Sequence, residues 1–131
     1  IEDGAYVWRD LLNQGVVVTA GTDAPVEPVN PIANFYAAVT RKTLQGVPET
    51  GFEPAQKLTR VEALHAMTLA AAYAGFEDHD KGQIVVGKLA DLTVLNQDLM
   101  TVPEEDILNT EVLLTMVGGE VVYRRDKTVL P

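Results

Sequence analysis

The chain contains no cysteine and no serine. A disulfide framework and a Ser or Cys nucleophile are therefore excluded, and the lack of thiols suits a reducing compartment, so a cytoplasmic location is expected. Positive charge is scarce. Lys and Arg number 10 against 19 Asp and Glu, a formal net charge of −9, which repels phosphate backbones and anionic headgroups and argues against nucleic-acid and membrane partners. No apolar run approaches the ~20 residues that span a bilayer. The length, 131 residues, excludes a complete eight-stranded β/α barrel, which needs about 250. What remains is 47% hydrophobic and 22% charged, enough for one domain to build a core without metal or disulfide staples. The first residue is Ile1 rather than Met and the opening residues resemble no signal peptide, so the chain is expected to be an internal cut of something longer.

Hydrophobic spacing organises the chain. Val7, Trp8, Leu11 and Leu12 recur at helical intervals, with Gly15 following as a stop. Val16, Val17 and Val18 form a β-branched run without polar alternation, the pattern of a strand buried on both faces. A loop with three prolines covers Gly21 to Pro31, and Asn30-Pro31 opens a helix to about Thr43. Leu44 to Leu58 is punctuated by Gly and Pro and reads as a loop. Thr59 and Glu62 form a capping box for a helix from Arg60 to about Ala74, with Leu64, Met67, Ala71 and Ala74 on one face and Gly75 as its stop. The run Ala70 to Ala72 suggests packing on a sheet. After Gly82 the pattern becomes β. Leu92, Val94 and Leu95 mark a short strand, Thr101 and Glu104 a second capping box opening a short helix, and residues 111–123 a hairpin turning on Gly118-Gly119. Repeats and low-complexity segments are absent.

Few residues carry chemistry. Asp23 stands directly beyond the Val16–Val18 run, in Gly21-Thr22-Asp23-Ala24-Pro25, and in parallel α/β architectures that edge of the sheet bears the catalytic groups. An acid there can ligate a metal or take a proton; equally, Asp is a common turn residue that bonds to nearby amides. The stretch Gly82 to Lys88 fits the GxxxxGK half of a phosphate loop, but Leu89 stands where a Ser or Thr hydroxyl is needed, and a strand rather than a helix follows. Turn glycines are the better reading. His65 lies in a helix and His79 in an acidic loop, neither with a second ligand at metal spacing. Glu104, Glu105 and Asp106 fall in a first helical turn, where negative charge suits the dipole. Glu27, Asn30, Asn34 and the loop Gln45 to Gln56 are candidates for one wall of a site.

Taken in order, Gly15 to Pro25 (GVVVTAGTDAP), Asn30-Pro31, Leu58 to Leu64 (LTRVEAL), Lys81-Gly82 through Gly87-Lys88-Leu89-Ala90-Asp91-Leu92, and Thr115 to Val121 (TMVGGEV) resemble the C-terminal portion of the amidohydrolase superfamily, and within it the branch of metal-dependent hydrolases called amidohydrolase family 3. The resemblance covers nearly the whole chain. It implies an α/β fold in which residues 1–80 supply the last strand and helices of a TIM-like barrel, and residues 81–131 the C-terminal strands of a small β-sandwich. It implies that Val16 to Ala20 is the final barrel strand and that Asp23 is the acid at its end, serving the metal site and passing a proton from attacking water to the leaving nitrogen. The implied activity is hydrolysis of a carbon–nitrogen bond in a small non-peptide amide or cyclic amide, with a divalent metal, zinc by preference.

The family's H-x-H pair and middle-strand ligands have no counterpart here. Asp23 alone cannot hold a catalytic zinc, which takes about three protein ligands. The chain by itself is therefore expected to bind no metal and to hydrolyse nothing, the other ligands belonging to the rest of the parent barrel. The alternative is a stand-alone structural or binding module built from hydrolase-derived elements. In either case the exposed faces of Val16 to Val18 lead us to expect self-association of the isolated piece.

Overall fold

In a computed structural model, residues 4–125 are described. Four helices, α1 (Trp8–Asn13), α2 (Pro31–Thr40), α3 (Arg60–Met67) and α4 (Leu69–Ala74), precede three strands, β1 (Leu92–Leu95), β2 (Val112–Val117) and β3 (Glu120–Arg124). Short 3-10 turns lie at Pro54–Gln56 and Glu104–Asn109.

Local signals set most of these boundaries. The Asn30 side chain accepts the Ile32 N–H at 3.0 Å, and Pro31 occupies the first helical position of α2. That helix ends at Thr40 rather than near Thr43, because Arg41 turns left-handed at φ 60 and its N–H bonds back to the Ala37 carbonyl. Thr59 and Glu62 make the expected reciprocal capping box on α3. Glu62 is also gripped from outside its helix: Arg9 Nη1 and Nη2 each donate to it at 2.5 Å, and Nη2 also reaches the Lys57 carbonyl at 2.9 Å. One residue thus caps α3 and ties it to α1. The hydrogen bonds from Arg9, helped by those from Thr59 and opposed by burial, hold the Glu62 carboxyl at about 2, below its ordinary 4.5.

A depressed carboxylate favours the fold above its ordinary pKa and loses that contribution as pH falls through the folded value. The thermal midpoint should therefore drop as pH falls from about 4.5 toward 2. A Glu62→Gln variant, lacking the charge, should show a shallower fall; parallel curves for the two proteins would refute this role.

The helix expected from Arg60 to Ala74 is broken in two. Thr68 takes φ −121 and ψ −89, and its hydroxyl donates to the Leu64 carbonyl at 2.7 Å, a side-chain bond that competes with the helical ladder. The left-handed residue at the end of α4 is Phe76 (φ 58), one position after Gly75. The alanine face of α4 meets loop backbone rather than a sheet. A Cβ on Gly82, which has φ +85, would lie 2.8 Å from Leu69 Cα and 3.0 Å from Ala72 Cβ, so only glycine fits.

The sheet is antiparallel in the order β1-β2-β3. Its hairpin turns on Gly118 and Gly119 at φ 57 and 86, the two positive angles of a tight two-residue turn. Asp91 Oδ1 accepts the Gly118 N–H at 2.7 Å and the Ala90 carbonyl the Gly119 N–H at 3.1 Å, so the segment preceding β1 clasps the tip of the hairpin. Thr101 does not cap the turn after it. Its hydroxyl bonds Asp98 at 3.1 Å, and the 3-10 turn starts after Pro103 without a side-chain cap.

The core joins both halves of the chain. Ile32, Phe35 and Tyr36 from α2 and Leu58 and Ala63 from the α3 region pack with Leu99 and Ile107 from the turn-rich stretch between β1 and β2. Polar ties follow the same seam: Lys42 pairs with Glu104 at 2.7 Å, and Arg60 donates to the Leu99 carbonyl at 2.6 Å.

Val16 to Ala20 form no strand. Among the described residues no neighbouring strand supplies a ladder; the segment's backbone bonds include Val16 N–H to the Leu11 carbonyl and Ala20 N–H to the Ala66 carbonyl, both at 3.1 Å. Val16 and Val17 stand 45% and 49% exposed. A β-branched run built for burial on two faces has no cover here, because a sheet is completed by its neighbours and not by its own sequence.

Candidate active site

Asp23 sits in a turn closed by its own carbonyl, which accepts the Val26 N–H at 2.8 Å. Its φ is 53, a left-handed value that Asp tolerates better than most residues. The carboxylate is exposed and makes no hydrogen bond or ion pair to a described residue. The structure therefore lacks the side-chain-to-amide bond of an ordinary turn aspartate: the backbone closes the turn, and the acid is left available.

A groove of about 660 Å³ is lined by the segment that leads into this turn. Val18 to Gly21 form one wall, Asn34, Ala37, Ala38 and Arg41 of the α2 region a second, and Phe52 with Tyr6 and Trp8 an aromatic end. Asp23 follows Gly21 by two positions and lies outside this lining. Of the residues expected at the wall, Asn34 is there and the loop contributes Val47, Pro48 and Phe52. Asn30 is consumed as the cap of α2, and Glu27 is exposed outside the lining. A close approach shapes the loop: a Cβ on Gly51, at φ +86, would sit 2.2 Å from the Thr40 carbonyl oxygen.

Sequence reasoning missed Tyr6, Trp8 and Arg41. Arg41 Nε donates to the Phe52 carbonyl at 2.8 Å and Nη1 to the Tyr6 carbonyl at 3.0 Å, joining stretches 35 positions apart. Burial lowers its pKa, opposed by the charge of Glu53. A usable signal was its position directly after a helix, where a left-handed glycine is the usual choice.

Other candidates resolve as structural. Lys88 Nζ donates to the Asp78 and Lys81 carbonyls and to Gln83 Oε1 at 2.6, 2.9 and 3.1 Å, so the lysine of the phosphate-loop-like stretch is occupied within its own loop. His65 is exposed on α3, and His79 pairs with Asp80 at 3.0 Å on the surface. Of the acidic cluster at 104–106, Glu104 is the partner of Lys42, whose pKa this hydrogen bond raises.

Among the described residues no three His, Cys, Asp or Glu side chains gather where a metal ion could sit. Asp23 offers one carboxylate where a catalytic zinc requires about three protein ligands. The chain's described residues therefore do not fit a metal centre by themselves.

The amidohydrolase family profile matches residues 2–123. The chain belongs to the amidohydrolase family. The Bacillus subtilis (strain 168) protein YtcJ, whose name gives it as an amidohydrolase, is 29% identical over 121 residues, covering 92% of this chain and 23% of that protein. The N-substituted formamide deformylase of Arthrobacter pascens is 33% identical over 117 residues, 89% of this chain and 21% of that enzyme. A crystal structure of an amidohydrolase from Thermotoga maritima MSB8 superposes with a TM-score of 0.69 at 21% identity, covering 92% of this chain and 26% of that one. The fold is thus shared with a solved amidohydrolase, and the chain spans about a quarter or less of the length of these relatives.

Proposed function

We propose that this chain is the C-terminal part of a hydrolase that cleaves carbon–nitrogen bonds in small non-peptide amides or cyclic amides, with Asp23 as its acid–base residue. The observation that carries the reading is the exposed, unpartnered Asp23 carboxylate, two positions beyond the groove residue Gly21, in a chain whose family and relatives are amidohydrolases. In the reaction, water adds to the substrate carbonyl carbon while Asp23 takes a proton from it; the carbon–nitrogen bond then breaks as Asp23 returns that proton to the leaving nitrogen. A relative named for deformylating N-substituted formamides fits this bond type. On this reading residues 1–80 complete a β/α barrel and residues 81–131 a β-sandwich, both built with the remainder of a longer polypeptide. A divalent cation, zinc by preference, would draw its remaining ligands from that remainder.

Residues 1–131 purified alone should release no amine from formamide or cyclic-amide substrates and should carry well under one metal equivalent by elemental analysis. The complete polypeptide should turn over at least one of these substrate classes. Stoichiometric metal on the isolated chain, or no turnover of any amide by the complete protein, would overturn the reading.

A further inference from the structure

We propose, resting on the acid–base reading of Asp23, that Arg9 and Glu62 are positioning residues for that carboxylate: their ion pair fixes the two helices that hold the segment leading into its turn. The first ground is how Asp23 is placed. Its side chain makes no hydrogen bond or ion pair to a described residue, so its position is inherited from the backbone. Three positions earlier, the Ala20 N–H bonds the Ala66 carbonyl of α3, and the Val16 N–H bonds the Leu11 carbonyl of α1, each at 3.1 Å. The segment from Val16 to Ala20 is strung between α1 and α3, and a shift of either helix reaches Asp23.

Arg9 and Glu62 join those same two helices. Arg9 Nη1 and Nη2 each meet a different Glu62 carboxylate oxygen, and two parallel bonds between planar groups set orientation as well as distance. The helix held in this way needs it. α1 has six residues, no side-chain cap and no buried residue, too short to persist by itself. Half-buried Trp8 and Leu12 pack it on the core, but apolar contact is non-directional and leaves sliding and rotation open.

The second ground is convergence on the stretch 56–62. Besides the Arg9 contacts at Lys57 and Glu62, Gln56 exchanges hydrogen bonds with Asp10 of α1: its Oε1 accepts the Asp10 N–H at 3.2 Å, and its Nε2 donates to Asp10 Oδ2 at 2.9 Å. Beyond the Asp23 turn in sequence, α2 is tied to the same stretch, the Leu58 N–H bonding the Ala38 carbonyl at 3.1 Å. Glu62 Oε2 completes the set by accepting from the Thr59 N–H and hydroxyl, both at 2.7 Å. The helices before and after the turn, and the one that holds Ala20, are all registered here. Every one of these ties lies within the chain and needs no open surface.

The test is kinetic, on the complete polypeptide with an N-substituted formamide or cyclic amide that it hydrolyses, well below the thermal midpoint. Glu62→Gln keeps a side chain that serves a capping box but loses the paired charge. It should lower kcat about ten- to a hundredfold, the size expected of a displacement of about 1 Å, with KM changed by less than about threefold. Arg9→Lys, which keeps the charge without the fork, should lose less. In an Asp23→Asn background, Glu62→Gln should lower the remaining kcat by less than about twofold, because an effect exerted through a carboxylate cannot outlast it. Losses of equal size in both backgrounds would mean that the pair only supports the fold, and would overturn the proposal. Full activity in folded Glu62→Gln and Arg9→Lys proteins, with Asp23→Asn impaired, would overturn it too, showing that the remainder of the polypeptide holds Asp23 unaided. Full activity in Asp23→Asn would instead overturn the acid–base reading, and the proposal with it. Should Glu62→Gln fail to fold, Arg9→Lys in the two backgrounds decides.

Discussion

Asp23→Asn in the complete polypeptide should lower kcat for amide hydrolysis by about 10²–10⁴-fold, the range expected when a positioned proton carrier is removed. The substitution is chosen for what it leaves alone. Asn tolerates a left-handed backbone about as well as Asp, and the turn is closed by the main-chain bond from Val26 to the residue-23 carbonyl, which any side chain preserves. The carboxylate has no partner whose loss would unfold anything. The thermal midpoint should therefore stay within about a degree or two, since surface changes away from special features are nearly neutral. A large loss of activity with unchanged stability marks a chemical role. Unchanged activity would show that Asp23 is a turn residue, and the proposed mechanism would fall with it.

Phe35→Ala should cost about 3–5 kcal/mol of folding free energy. Phe35 is fully buried in the middle of α2, at the centre of the cluster that joins α2, the α3 region and the 3-10 turn at Glu104–Asn109. Truncation leaves a void between three elements that cannot all close on it. Against a typical domain stability of about 5–15 kcal/mol, that loss is a large fraction. Urea unfolding followed by circular dichroism would measure it, and a change below about 1 kcal/mol would mean that the core collapses more freely than its packing implies.

What the amino-acid sequence reveals divides by the range of the interaction. The Asn30-Pro31 start, the Thr59–Glu62 capping box and the Gly118-Gly119 hairpin each depend on residues within a few positions, and all three are found as expected. Thr101 and Glu104 have the same spacing as a capping box, yet Asp98 and Lys42 lie nearer to hand and take them. Thr68 breaks a helix that periodicity alone would continue, through a bond its own hydroxyl makes.

The valine run declares that it wants cover, but no sequence window says where the cover comes from. For the site, Asp23 was readable because it follows that run. That its carboxylate is free was not, since Asp in a turn usually bonds its neighbours. Arg41 was invisible because the carbonyls it grips belong to Tyr6 and Phe52, and nothing local connects the three.

The seam along which Lys42 meets Glu104 and Arg60 meets the Leu99 carbonyl bears on how the chain comes apart. Because Leu99 and Ile107 complete a core begun by α2, neither side can open without exposing the other's apolar surface to water. Melting of α2 and of the 104–109 turn should therefore coincide, and their amides should exchange with solvent through one shared opening event rather than two. Arg41 and Lys42 follow directly after α2, so the same event would dismantle the groove, tying its shape to the integrity of a stretch more than fifty residues downstream.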